Sequence, residues 1–177
     1  MKNSITFYRD RFLVAMLLLL LWGTARGSEE VPRAVTIPPL TDLTADLDAV
    51  RTTGRPLLLI FSAEHCFYCE RLKESIIKPM LRSGDYDDRV IIRLIELDSY
   101  ESITGADGKA IEPPELARRH DVRVTPTVLL LGPEGEELAP RQLGINNEDY
   151  YGAYLDEAIV QATEKLRGKP EASRGGD

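Results

Sequence analysis

The sequence predicts an α/β domain, a β-sheet with helices on both faces, and three observations carry that prediction. "PLLLIF" is a continuous apolar run of strand length, the pattern of a central strand covered on both sides. Segments with apolar residues at helical spacing flank it: Leu43, Leu47 and Val50 before, Leu72, Ile76 and Ile77 after. "RVIIRLIELD" and "TPTVLLLGPEGEELAPRQLG" then repeat the strand signature further along.

In chain order, Lys2, Arg9 and Arg11 precede an apolar run from Phe12 to Trp22, followed by small residues around Ala25 and Gly27. That is the layout of a secretory signal, and the run is shorter than the roughly 20 apolar residues of a membrane span. Residues 1–27 are therefore expected to be a cleaved signal peptide rather than a permanent membrane anchor. Residues 28–40, opening "SEEVPR", read as a linker or extended arm, and residues 168–177 as a disordered tail. Between them, residues 41–167 have the length of one ordinary domain with a real core.

Within the domain, "TDLTADLDAVRTTG" predicts an amphipathic helix with Thr41 or Asp42 as N-cap and Gly54 as its stop. After the first strand, a helix is predicted from Cys66 to about Lys78, ended or kinked by Pro79. "ITGADGKAI" predicts a hairpin turning at Asp107-Gly108, and "EPPELARRHDV" a short helix with Pro114 near its first turn. Thr127 onward predicts two antiparallel strands joined at Gly132-Pro133-Glu134-Gly135. A closing helix carries Tyr151, Tyr154, Leu155, Ala158, Ile159 and Ala162 on one stripe. The acidic residues Asp85, Asp87 and Asp88 suit a solvated turn rather than a calcium site.

The chain carries 22 Lys and Arg against 29 Asp and Glu, and loss of residues 1–27 would make it more acidic still. Such a balance disfavours nucleic acid and anionic membrane as partners. The cysteines say more. There are two, Cys66 and Cys69, in "EHCFYCER" between the first strand and the helix after it. In an exported chain they form a disulfide or a redox couple, and a bridge across two residues closes too small a loop to staple a fold. A metal site would need two more ligands, and the only histidines are His65 and His120, the latter placed to cap its helix end. Thiolates also suit Cu(I), so a copper or zinc carrier stands as the alternative to a redox pair. Glu70 rather than histidine follows Cys69, which excludes the usual haem attachment.

The order helix, strand, CxxC helix, strand, helix, Val124-Thr125-Pro126-Thr127, strand, strand, helix resembles the thioredoxin superfamily from Thr41 to Leu166. The resemblance implies a thioredoxin fold with a central mixed sheet and a thiol–disulfide oxidoreductase without a cofactor. It implies that Cys66, at a helix N-terminus where the dipole favours a thiolate, is the nucleophile and Cys69 the resolving thiol. It further implies that Pro126 is cis and faces the pair, with Thr125, Pro126 and Gly144 binding substrate backbone. Disulfide-containing exported proteins are the expected substrates, a membrane electron donor a possible partner, and a monomer the expected state. The ending "RQLGINNEDYYGAYLDEAI" together with the signal is similar to periplasmic members, including some associated with sulfur oxidation. Reductase is the expected direction.

Departures from the family pattern are local. His65 stands where thioredoxins carry Trp, and Phe67-Tyr68 where they carry Gly-Pro, so these three are the expected tuning residues. A protonated His65 would favour the Cys66 thiolate; a packed one would not. Glu64 matches an acid common before the motif. Ile60 occupies the family's buried-acid position and Leu94 the matching lysine position. The segment from Ser99 to Pro113 is longer than its counterpart and reads as a hairpin insertion.

Overall fold

A computed structural model of the chain describes residues 35–145 and 147–168. The expected signal peptide, the start of the arm and the tail beyond Gly168 lie outside the described residues. Helix α1 (Leu43–Thr53) leads into β1 (Leu57–Ser62), then α2 (Phe67–Leu72), a π-helical turn (Lys73–Ile77) and α3 (Lys78–Ser83). Strand β2 (Ile91–Glu96), the hairpin β3 (Ile103–Thr104) and β4 (Ala110–Ile111), α4 (Pro113–Arg119), β5 (Thr127–Leu131), β6 (Gln142–Leu143) and α5 (Glu148–Gly168) follow. The main sheet has the order β2-β1-β5-β6, with β1 parallel to β2 and the other pairs antiparallel. This is a thioredoxin-like α/β fold with a mixed sheet.

Alternation along β1 divides the interior. Leu58 and Ile60 point to a layer holding Leu72, Ile76 and Ile77 from the helix after the cysteines and Leu155 and Ile159 from α5. Leu57, Leu59 and Phe61 point to the other, with Leu43, Leu47 and Val50 of α1 and Leu116 of α4. All five are fully buried, which is why the strand reads as an unbroken apolar run. Asp42 caps α1 by accepting from the Ala45 N–H at 2.9 Å, and Gly54 closes it at φ 69°, a conformation glycine adopts without strain.

The described part of the arm lies along the free edge of β2. Leu40 N donates to Leu94 O at 2.8 Å, Leu94 N to Pro38 O at 2.9 Å, and Ile37 and Leu40 are buried. The hairpin packs Ile103 and Ile111 into the α1 layer, and Thr44 Oγ1 donates to Gly105 O at 2.8 Å. Among the described residues no helix is long and apolar enough to cross a membrane.

Three expectations need correction. Pro79 does not end the CxxC helix, one of the two outcomes expected of it: the helix continues to Ser83 and Gly84 caps it. The π turn ahead of the proline, with Lys78 N–H bonded to Lys73 O, shifts the ladder by one residue and lets the ring pass. The second strand of the last pair is broken, since only a bridge at Leu131–Glu137 and the two residues of β6 pair with β5. Pro140 lies between those pieces and cannot donate to a ladder. Tyr154, expected on the buried stripe of α5, is 56% exposed, and its ring lies 6.4 Å from that of Tyr150.

Candidate active site

The site forms where β1 gives way to α2. Glu64 N donates to the Asp98 carboxylate, and His65 takes φ 57°, a left-handed conformation, so the chain reverses over two residues. Cys66 then sits in extended conformation at the N-cap of α2, and its Sγ accepts from the Cys69 N–H at 3.2 Å. The two cysteines are joined as a disulfide, their Cα atoms 5.2 Å apart.

The two sulfurs have different surroundings. Cys66 is partly exposed, whereas Cys69 is 1% exposed. Phe67 and Tyr68 project outward at 68% and 57% exposure, their rings edge-to-face at 5.5 Å. They place apolar surface beside the outer sulfur. His65 also points out, with Nε2 3.8 Å from Glu64 Oε1.

The Thr125–Pro126 peptide bond is cis, and Thr125 places both its carbonyl O and its Oγ1 at 3.7 Å from Cys66 Sγ. Thr127 Oγ1 donates to Val124 O at 2.7 Å and fixes that turn, while Val124 itself is 51% exposed. Gly144 N donates to Pro126 O at 2.8 Å. A Cβ at Gly144 would meet nothing within 4 Å, so its φ of 63° rather than space is what selects glycine. Cys66, Thr125, Pro126 and Gly144 are thus brought together, with Pro126 itself buried.

His120 is not part of it. Its ring packs 6.2 Å from Phe61, which faces the layer opposite the CxxC helix, and burial lowers its pKa below the usual histidine value. Among the described residues no group of three or more His, Cys, Asp or Glu side chains is disposed to hold a metal ion.

Ser62, Lys73 and Glu96 form a set that sequence reasoning did not single out, next to the Ile60 and Leu94 positions that it did. Ile60 is fully buried with Leu94 as its register partner, so that position is apolar. Next along the strands, Ser62 is fully buried with an unpartnered Oγ, and its register partner is Glu96. Lys73, four residues after Cys69, bonds Glu70 Oε1 at 2.7 Å and Glu96 Oε1 at 2.9 Å. Burial opposes its charge, but the hydrogen bonds to both carboxylates prevail and raise its pKa. The i, i+4 spacing from Cys69 is the signal the sequence offers for it.

A family profile described as "Thioredoxin-like domain" matches residues 43–159. The chain belongs to the thioredoxin-like family. Within that family it is similar to the "Thiol:disulfide interchange protein DsbD" of Pseudomonas fluorescens, 29% identical over 103 residues, covering 58% of this chain. The matched stretch spans 16% of that relative's length. Among solved structures, one titled "DsbH Oxidoreductase" aligns with a TM-score of 0.55 at 15% identity, covering 73% of this chain and 89% of that one. A thioredoxin from Thermus thermophilus aligns with a TM-score of 0.51 at 23% identity, covering 72% and 91%. A thioredoxin-like domain with its CxxC pair at disulfide distance is a thiol–disulfide oxidoreductase.

Proposed function

We propose that the protein is an exported disulfide reductase that receives electrons from a membrane donor and passes them to disulfides of exported proteins. The observation that carries this reading is the asymmetry of the pair. Cys66 Sγ is accessible and accepts a backbone N–H at the start of α2, while Cys69 is buried one turn in. An N–H donor and a helix N-terminus favour a thiolate at Cys66; burial disfavours one at Cys69.

In the reduced protein, the Cys66 thiolate attacks one sulfur of a substrate disulfide, and the other substrate sulfur leaves as a thiolate. Cys69, having lost its proton, attacks Cys66 Sγ. The second substrate thiol is released and the Cys66–Cys69 disulfide remains, the form present in the structure. Two electrons have then moved from protein to substrate. Thr125, Pro126 and Gly144 receive the substrate backbone in this reading, beside the attacked sulfur. Phe67, Tyr68 and Val124 supply an apolar rim, and His65 adjusts the field at Cys66. Export rests on the basic, apolar and small-residue layout of residues 1–27.

The test is turnover of a protein disulfide by the purified protein with a dithiol donor and a strong chelator present. Sustained reduction supports the reading. Absence of turnover together with stoichiometric retention of copper or zinc by the reduced protein would replace it with metal carriage.

A further inference from the structure

A resolving thiol that is 1% exposed must still lose a proton before it can attack, and Ile60, fully buried in the layer of Leu72 and Ile76, offers no acceptor. The neighbouring residues do. Leu72 and Ile76 of the CxxC helix pack in one layer with Leu58 and Ile60, and Cys69, also buried, stands at helical spacing from both. Ser62 continues the alternation of Leu58 and Ile60, so its hydroxyl enters the same layer at the end of β1 from which the cysteine loop departs. That hydroxyl is fully buried and without a partner in the oxidised protein. A buried hydroxyl left unpaired is unfavourable unless another state supplies the missing group.

Across the ladder from Ser62, Glu96 follows Ile92 and Leu94 on that face. Lys73 reaches it from one turn below Cys69, and its side chain is 13% exposed. Its raised pKa keeps it charged, so it holds the carboxylate and does not serve as the base. A cleft of about 310 Å³, lined by His65, Glu70, Lys73, Glu96 and Asp98 among others, connects this pair to water.

We propose that Ser62 and Glu96, with Lys73 as a positioning residue, form the proton exit of the resolving thiol. The Cys69 S–H donates to Ser62 Oγ, and the Ser62 hydroxyl proton passes to the Glu96 oxygen that Lys73 leaves free. The Cys69 thiolate then attacks Cys66 Sγ, the bond from Cys66 to the substrate sulfur breaks, and the substrate leaves as a thiolate. Glu96 returns its proton to water through the cleft. The charged and titratable groups around this path are Glu70 and Lys73 from the helix, Glu96 and Asp98 from the β2 end, and Glu64 and His65 from the loop.

The inference rests on the thiol-exchange reading, and one experiment separates the two. The reduced full-length protein is mixed with dithiobis(nitrobenzoate), whose coloured thiol is released once by Cys66 attack and once by Cys69 resolution. In Glu96→Gln the second release should slow about tenfold or more and change its pH dependence across the acidic to neutral range, while the first release keeps its rate. Ser62→Ala should also slow the second release, although removing an unpaired buried hydroxyl should not lower the thermal midpoint of the oxidised protein. A hydroxyl with no role beyond structure would leave both phases unchanged. Unchanged second release in both variants, or equal slowing of both releases, would overturn the proton exit with thiol exchange intact. Failure of the wild type to give the first release would remove both readings.

Discussion

The backbone N–H of Cys69 points at Cys66 Sγ from 3.2 Å, so the inner cysteine stabilises negative charge on the outer one. The same turn that aims this N–H buries the Cys69 side chain against the sheet. One helical turn therefore makes two unlike thiols out of identical residues.

That inequality predicts different fates for two variants. Cys69→Ala keeps the accessible sulfur and loses the means of release, so mixed disulfides with exported proteins should accumulate and be visible on non-reducing gels. Cys66→Ala should capture little. In the reduced wild type, alkylation at mildly acidic pH followed by peptide mapping should find Cys66 modified first. Equal trapping by both variants, or Cys69 alkylated first, contradicts the assignment of roles.

A stability prediction comes from the far side of the sheet. Arg93 grips Asp46 with two bonds, Nε to Oδ2 at 2.8 Å and Nη2 to Oδ1 at 2.7 Å, tying α1 to β2. Asp46 is 7% exposed and Arg93 is partly buried, so the pair lies between the surface and interior limits. Asp46→Ala should cost about 2 kcal/mol in urea unfolding. A loss below about 0.5 kcal/mol would mean that the pair is energetically a surface one.

His120 gives a pH dependence with a definite sign. Burial beside Phe61 lowers its folded-state pKa below 6.5, so in the window between that lowered value and 6.5 the unfolded chain binds more protons than the folded one. Stability from this group accordingly falls as pH drops through the window and is level above it. The urea midpoint of His120→Leu, compared with wild type across pH, should lack that component. An unchanged difference between the two proteins from neutral pH down through the window would contradict it.

Much of this could be read from the residues because pattern and burial coincide. The run Leu57–Phe61 is apolar throughout because both faces are covered, and the Asp42 and Gly54 caps mark α1 by their own chemistry. The cysteine pair and Thr125-Pro126 are separated by 59 residues in the sulfur contacts they make, yet both carry recognisable local signatures. Other features depend on tertiary context. Pro79 signals a helix end unless a π turn precedes it, and nothing in "KESIIKP" announces one. Lys73 looks like one more charge on a solvated face until Glu96 arrives from another strand. Ser62 reads as a strand end, and its buried, unpaired state follows only from packing. Tyr154 has the right spacing for the α5 stripe, but the groove beside Leu143 leaves it open.

The most direct measurement of the central claim is the reduction potential of the Cys66–Cys69 pair, obtained by equilibrating the full-length protein against glutathione buffers. A reductase of exported proteins requires a strongly reducing couple, near the thioredoxin end of the superfamily at about −270 mV. A value close to the oxidising end, about −120 mV, would contradict the account and assign the protein to disulfide formation instead.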